Sequence, residues 1–133
     1  MPPKLLIVED HLDNREYILH VAERLGLTPL IASTADEAVR LAHAQRPDLI
    51  LMDILLARGD GRTAARQLKA TPDTAGIPIL AVTAMALIGD REECLAAGCD
   101  DYLSKPFTPR QLIAKIARWI PLRPDQHADG SGN

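Results

Sequence analysis

Three carboxylates, a hydroxyl and an amine stand at corresponding places in this 133-residue sequence. Asp53 ends the apolar run Leu49-Ile50-Leu51-Met52, and Glu9-Asp10 ends the run at 5–8. Thr83 closes a run at 77–82, and Lys105 lies just past a short run at 101–103. A short, continuous apolar run reads as a strand buried on both faces, as in a parallel sheet. The carboxyl ends of such strands are where open α/β sheets place their chemistry. Taken alone, Asp53 could be a charged residue that merely ends a strand; the polar groups at the other strand ends argue against that. If the strands are parallel, all five side chains converge at one edge. Two unit charges ~4 Å apart repel by about 4 kcal/mol at an effective dielectric near 20. The carboxylates must therefore be protonated, paired or bridged by a cation. Oxygen-only ligands without His or Cys select a hard ion, and Mg²⁺ is the usual one. Together with the Lys105 charge and the Thr83 hydroxyl, this set suits accepting and holding a phosphoryl group.

The elements that must position these groups follow from periodicity. After the first strand, Tyr17, Ile18, Val21, Ala22 and Leu25 share a helical stripe that Asp13 can cap, with Glu16 three residues later and Gly26 past its end. A second strand is expected at 27–31. Thr34-Ala35-Asp36-Glu37 has capping-box spacing and opens a helix to about Gln45, broken by Pro47. A third helix is expected at 61–69, with Thr71-Pro72-Asp73 as loop. The fourth strand, at 77–82, tolerates Pro78 near its start. Asp90 can cap a fourth helix that ends at Gly98, and 101–103 is a weak fifth strand. Ser104 to Phe107 make a turn. Thr108-Pro109-Arg110-Gln111 opens a last helix, whose apolar stripe is Leu112, Ile113, Ile116, Ala117 and Ile120, and Pro121 ends it. Five strands alternating with five helices predict an α/β, doubly wound parallel sheet with helices on both faces. One domain is expected over 3–121. A polar stretch at 122–133 has no apolar period and is expected to be disordered.

The composition narrows the function classes. Aromatics are 3% of the chain, so the core must be aliphatic. The net charge is −3, with no basic block of the kind a nucleic-acid footprint needs, so direct nucleic-acid binding is not expected. Cys94 and Cys99 match neither a zinc pattern nor C-x-x-C; they read as reduced thiols, one on a helix and one just past its end. The opening Met1-Pro2-Pro3-Lys4 leads into a run of four apolar residues, too short for a signal peptide or membrane span, so a cytoplasmic location and no membrane partner are expected. His11 adjoins Asp10; His20, His43 and His127 are scattered and read as surface or helix residues.

The segments Leu6-Ile7-Val8-Glu9-Asp10, Leu51-Met52-Asp53, Val82-Thr83-Ala84 and the run from Gly98 through Asp101-Tyr102-Leu103-Ser104-Lys105-Pro106-Phe107 resemble the receiver domain of two-component response regulators. The resemblance covers about 3–120 and is nearest to stand-alone receivers of the DivK type and to receivers of hybrid histidine kinases. It implies a flavodoxin-like sheet with strand order 2-1-3-4-5. It further implies that Asp53 takes a phosphoryl group from a sensor histidine kinase or histidine phosphotransfer protein. Asp10 would be a direct Mg²⁺ ligand beside Asp53, Glu9 would act through water, and the Leu55 carbonyl would be a further ligand. Thr83 and Lys105 would contact phosphoryl oxygens, and Lys105-Pro106 would be a cis peptide. Thr83 and Tyr102 would form the switch; the alternative for Tyr102 is a rim aromatic on the last helix. The sequence departs from the family, which commonly has a Met-Pro pair before its Asp-Gly: here Leu56-Ala57-Arg58-Gly59 intervenes, although Asp60-Gly61 keeps its place, and the missing proline frees the loop backbone. Leu55 and Met85, both apolar, flank the site and cannot orient an attacking water, which implies a long-lived phosphoryl group.

On this reading the chain is a single-domain regulator whose phosphorylation biases a surface on the fourth helix, fifth strand and last helix, read by a downstream effector protein. Pairing of two copies through the last helices, with Lys115 and Arg118, is an option beside plain solvated charge. A constitutive scaffold of the same fold would be expected to lack part of the acid cluster or the lysine, and both are present. A phosphatase or flavin-binding enzyme is disfavoured, since no glycine-rich phosphate cradle follows the first strand.

Overall fold

The computed structural model describes residues 2–84 and 89–122. Five strands, β1 (Lys4–Val8), β2 (Thr28–Ala32), β3 (Leu49–Asp53), β4 (Ile79–Thr83) and β5 (Asp101–Ser104), form one sheet in the order β2-β1-β3-β4-β5, every pair parallel. Between and after them run α1 (Leu12–Arg24), α2 (Ala35–Gln45), α3 (Gly61–Ala70), α4 (Asp90–Ala96) and α5 (Pro109–Trp119). The continuous apolar runs are the reason for a sheet covered on both sides, because alternate residues of each strand enter opposite cores. Leu5, Ile7, Leu49, Leu51, Leu80 and Val82 pack with α1 and α5. Leu6, Val8, Ile50, Met52, Ile79 and Ala81 pack with α2, α3 and α4. All five residues of β3, the central strand, are buried.

Local chemistry sets the helix ends. The Thr34 hydroxyl accepts the Glu37 amide at 3.1 Å, and the Glu37 carboxylate reaches back to the Ser33 amide at 2.7 Å. Arg46, at φ 48°, turns the chain before Pro47 can enter the helix. Thr108 and Gln111 complete the reciprocal capping box of α5, with Pro109 in its first turn. Leu112, Ile113, Ile116 and Ile120 of the expected stripe are buried and Ala117 is half-buried.

Two expected caps are corrected. Asp13 does not cap α1: the helix starts at Leu12, His11 is its N-cap, and Asp13 sits in the first turn. The His11 amide is already held by the Glu9 carboxylate at 3.1 Å, which sets the chain direction two residues earlier. Asp90 does not cap α4 but is its first residue; Gly89, at φ 96°, makes the turn into it, a conformation open to glycine. The fourth strand starts at Ile79 rather than 77, because the Ile77 carbonyl is drawn off to the Lys69 ammonium at 2.8 Å. The second strand starts at Thr28, since the Leu27 amide still bonds back to Ala22. Met85, His127 and most of the expected polar tail lie outside the described residues.

Candidate functional site

Parallel pairing puts every strand's carboxyl end on one edge, so groups distant in sequence meet there. Glu9 and Asp10 follow β1, Asp53 and Thr83 end β3 and β4, and Lys105 follows β5. One carboxylate oxygen from each of Glu9, Asp10 and Asp53 lies within 4.8 Å of the others. The Lys105 ammonium sits between two of them, 2.7 Å from Glu9 Oε1 and 3.2 Å from Asp53 Oδ2. Its place is fixed from behind: the Lys105 amide donates to the Thr83 carbonyl at 2.8 Å. Lys105-Pro106 is a cis peptide.

The pocket is underneutralised. Glu9 is 2% exposed and Asp53 6%, so neither charge is well hydrated. Burial pushes the Asp53 carboxyl up to about 6, helped by the hydrogen bond and charge of Glu9; Lys105 pulls the other way and loses. The ammonium also leans toward Glu9, at 2.7 Å against 3.2 Å for Asp53. Burial lowers the affinity of Lys105 for its proton, but the hydrogen bond to Glu9 and the charges of Asp53 and Glu9 outweigh this and raise its pKa. Three carboxylates facing one ammonium form an all-oxygen donor set that a small divalent cation fits, and Mg²⁺ commonly takes one or two such carboxylates with waters and phosphate oxygens.

The other expected residues are placed as follows. Thr83 is fully buried at the end of β4. Tyr102 is half-buried and packs on the core that contains Cys94 and Cys99, not on the face that α5 covers. The two thiols are unbonded and buried. Burial raises the pKa of both, Cys99 to about 12, so they stay protonated. Leu55 is 55% exposed, and its amide donates to Asp53 Oδ1 at 3.1 Å.

Three features escaped the sequence reading. The Ala57 amide donates to Asp10 Oδ2, and the absent proline was the available sign of a donor there. A cavity of about 370 Å³ beside Lys105 is lined by Asn14, Tyr17, Ala84, Pro106 and Phe107. Asp101, unremarkable in the sequence, is buried and accepts from Lys115 Nζ at 2.9 Å and Trp119 Nε1 at 3.1 Å, and it pairs with Arg118 at 3.3 Å. Lys115 and Arg118 are thus both paired with Asp101, Lys115 part-buried and the Arg118 side chain still 61% exposed. Burial raises the Asp101 pKa, but the Lys115 hydrogen bond, the Tyr102 amide and the Trp119 indole outweigh this and hold it below the ordinary value.

Comparison with known proteins gives a consistent result. A family model described as the response regulator receiver domain matches residues 5–117. The phosphate regulon transcriptional regulatory protein PhoB of Escherichia coli is 39% identical over 116 residues, which cover 87% of this chain and 51% of PhoB. The chain thus spans about half the length of that relative. The polar-differentiation response regulator DivK of Brucella anthropi is 37% identical over 90% of this chain and 98% of DivK. Among solved structures, the receiver domain of the sensor histidine kinase PA1611 from Pseudomonas aeruginosa, with a magnesium ion in its active-site cleft, is 41% identical with a TM-score of 0.83. That match covers 90% of this chain and 98% of the other. The Saccharomyces cerevisiae Ssk1 receiver, solved in complex with the histidine phosphotransfer protein Ypd1, is 29% identical, covers 89% and 88% of the two chains, and has a TM-score of 0.82.

Proposed function

Because this chain belongs to the response regulator receiver domain family, we propose that it accepts a phosphoryl group on Asp53 from a histidine kinase or histidine phosphotransfer protein, with Mg²⁺, and so switches a protein-binding surface. The observation that carries this reading is the crowding of three carboxylates around one ammonium, which pairs with Glu9 and Asp53 but does not offset the burial of Asp53. Asp10, Asp53 and the Leu55 carbonyl would hold the cation directly, and Glu9 through water. The cation would supply positive charge for the phosphoryl oxygens and draw Asp53 into its ionised form.

The chain's own groups do the rest. A carboxylate oxygen of Asp53 attacks the phosphorus as the bond from phosphorus to the histidine nitrogen breaks; that nitrogen keeps the bond's electron pair, and the ring, already protonated on its other nitrogen, leaves as neutral imidazole. Lys105 is already anchored by Thr83 and needs a shift of its ammonium alone to meet a phosphoryl oxygen. The Thr83 hydroxyl would take another oxygen, moving from its buried position, and Tyr102 would follow it inward. The surface so changed comprises α4, β5 and α5, and its reader would be a downstream effector protein; pairing of two copies through α5 belongs to the same reading. The PhoB-length relatives carry more chain than the receiver, so an attached output is compatible with the chemistry. Location in the cytoplasm fits this role, and no helix among the described residues is long and apolar enough to cross a membrane.

The test is intact mass after incubation with a small acyl phosphate, with and without Mg²⁺, on wild type and Asp53→Asn. The expected result is a Mg²⁺-dependent gain of one phosphoryl group, absent in the variant. No gain in folded wild type would sink the phosphoacceptor assignment. The exposed, apolar Leu55 beside Asp53 offers no group to orient water, so the modification should persist for minutes or longer; decay within seconds would contradict that part.

A further inference from the structure

The loop between β3 and α3 is held at its tip as well as its base. At the base, the Gly61 amide donates to the Ile54 carbonyl at 3.1 Å, and Leu55 forms an antiparallel bridge with Asp60. At the tip, the Ala35 amide donates to the Arg58 carbonyl at 3.3 Å. Gly59, at φ 89°, lies so close to α2 that a Cβ there would stand 2.6 Å from the Ala35 Cβ. The remaining tether is the Ala57 amide, which donates to Asp10 Oδ2. Lys105 serves Glu9 and Asp53, and among the described residues Asp10 has no ion pair. Its negative charge is met by a main-chain N–H, 47 residues away in sequence. A proline at position 57 would have no N–H to give.

We propose that the Ala57 N–H is a latch that competes with the divalent cation for Asp10, so that filling the pocket loosens the β3–α3 loop at Ala57 and a closed latch weakens the cation's hold. This rests on the pocket being a Mg²⁺ site, as proposed above. A hydrogen bond to an ionised carboxylate is among the stronger ones, and it draws on the same electron density that a hard cation needs. Two ligands of one group that weaken each other do so by the same factor in both directions. The loop that supplies the Leu55 carbonyl would thereby carry its own brake on loading, and the cation's arrival would be felt at Ala57, two residues along.

The test uses no phosphoryl donor. Mg²⁺ affinity is measured by titration calorimetry on wild type and Ala57→Pro, with far-ultraviolet circular dichroism to confirm the fold. Hydrogen exchange of the wild-type Ala57 amide is followed by NMR with and without saturating Mg²⁺. The expected result is about fivefold tighter binding by the proline variant and faster exchange at Ala57 in the loaded wild type. Equal or weaker binding by a folded variant overturns the latch. So does a tighter variant with unchanged Ala57 protection, because stiffening alone would then explain the gain. If the variant does not fold, the wild-type exchange result decides by itself. Absence of Mg²⁺ binding in wild type overturns both the latch and the cation site. Mg²⁺ binding without phosphorylation at Asp53 leaves the latch standing and removes only the phosphoacceptor role.

Discussion

Asp53→Asn removes a carboxyl whose ionisation the fold resists, and its effect on stability should depend on pH in a defined direction. The folded-state pKa is about 6 against an ordinary 3.8. A raised folded pKa means that protonated Asp53 favours the native state. That contribution is full below the ordinary value and is lost as pH rises through about 6. The interval from 3.8 to about 6 corresponds to about 3 kcal/mol at 1.36 kcal/mol per pH unit. Screening from the open side of the pocket trims this to about 2 kcal/mol. Asparagine keeps the shape and never ionises. In chelator-containing buffer, the stability of the variant relative to wild type should therefore grow by about 2 kcal/mol between pH near 4 and pH near 8. For a domain of this size that is about 8 °C in Tm. Urea unfolding at both pH values, followed by circular dichroism, measures the difference of differences and cancels any pH-independent packing effect. Saturating Mg²⁺ should lift wild type more than the variant, since only wild type gains a ligand for the buried charge. Parallel profiles, with the gap constant to about 0.5 kcal/mol, would refute the claim that Asp53 is held against its charge.

Lys105→Met leaves Glu9 and Asp53 facing each other with no counter-charge, and should cost about 3 kcal/mol near pH 8 by urea unfolding, shrinking as Asp53 regains its proton in acid. A pH-independent loss would point to packing instead. Asp101→Asn weakens the acceptor for Lys115, Arg118 and Trp119 and should cost about 2 kcal/mol at neutral pH. Because the Asp101 pKa is lowered, its contribution is present above the ordinary value near 3.8 and fades as pH falls below it. A variant as stable as wild type at pH near 7 would show that the buried ion cluster merely balances its desolvation.

That Glu9, Asp10, Asp53 and Lys105 meet at one sheet edge, with Thr83 ending the strand between, was legible because it needs only two inferences: that the apolar runs are strands, and that alternation with helices makes them parallel. The capping box at Thr108 was legible because donor and acceptor are three residues apart. The start of α1 was not, because Asp13 looks like the better cap until the Glu9 carboxylate is seen holding the His11 amide. Asp90 misled in the same way: a left-handed glycine can replace a side-chain cap, and sequence alone does not rank the two. The partners of Asp101 come from α5, and a side-chain contact between elements leaves no periodic trace. The Ala57 donor is main chain, which every residue but proline has, so only the departure from the family pattern could flag it.

Trp119 is the chain's single tryptophan. Its indole N–H is bonded to Asp101, the residue before Tyr102, and the Arg118 guanidinium lies 6.0 Å from its ring. The protein therefore carries a native fluorophore at the seam where α5 meets β5, with a carboxylate on one side and a cation on the other. Indole emission responds to both fields, so movement at that seam would be seen as a change of colour or intensity without any attached dye. A binding or switching event at the carboxyl edge of the sheet could then be followed in real time, from the far end of its last helix.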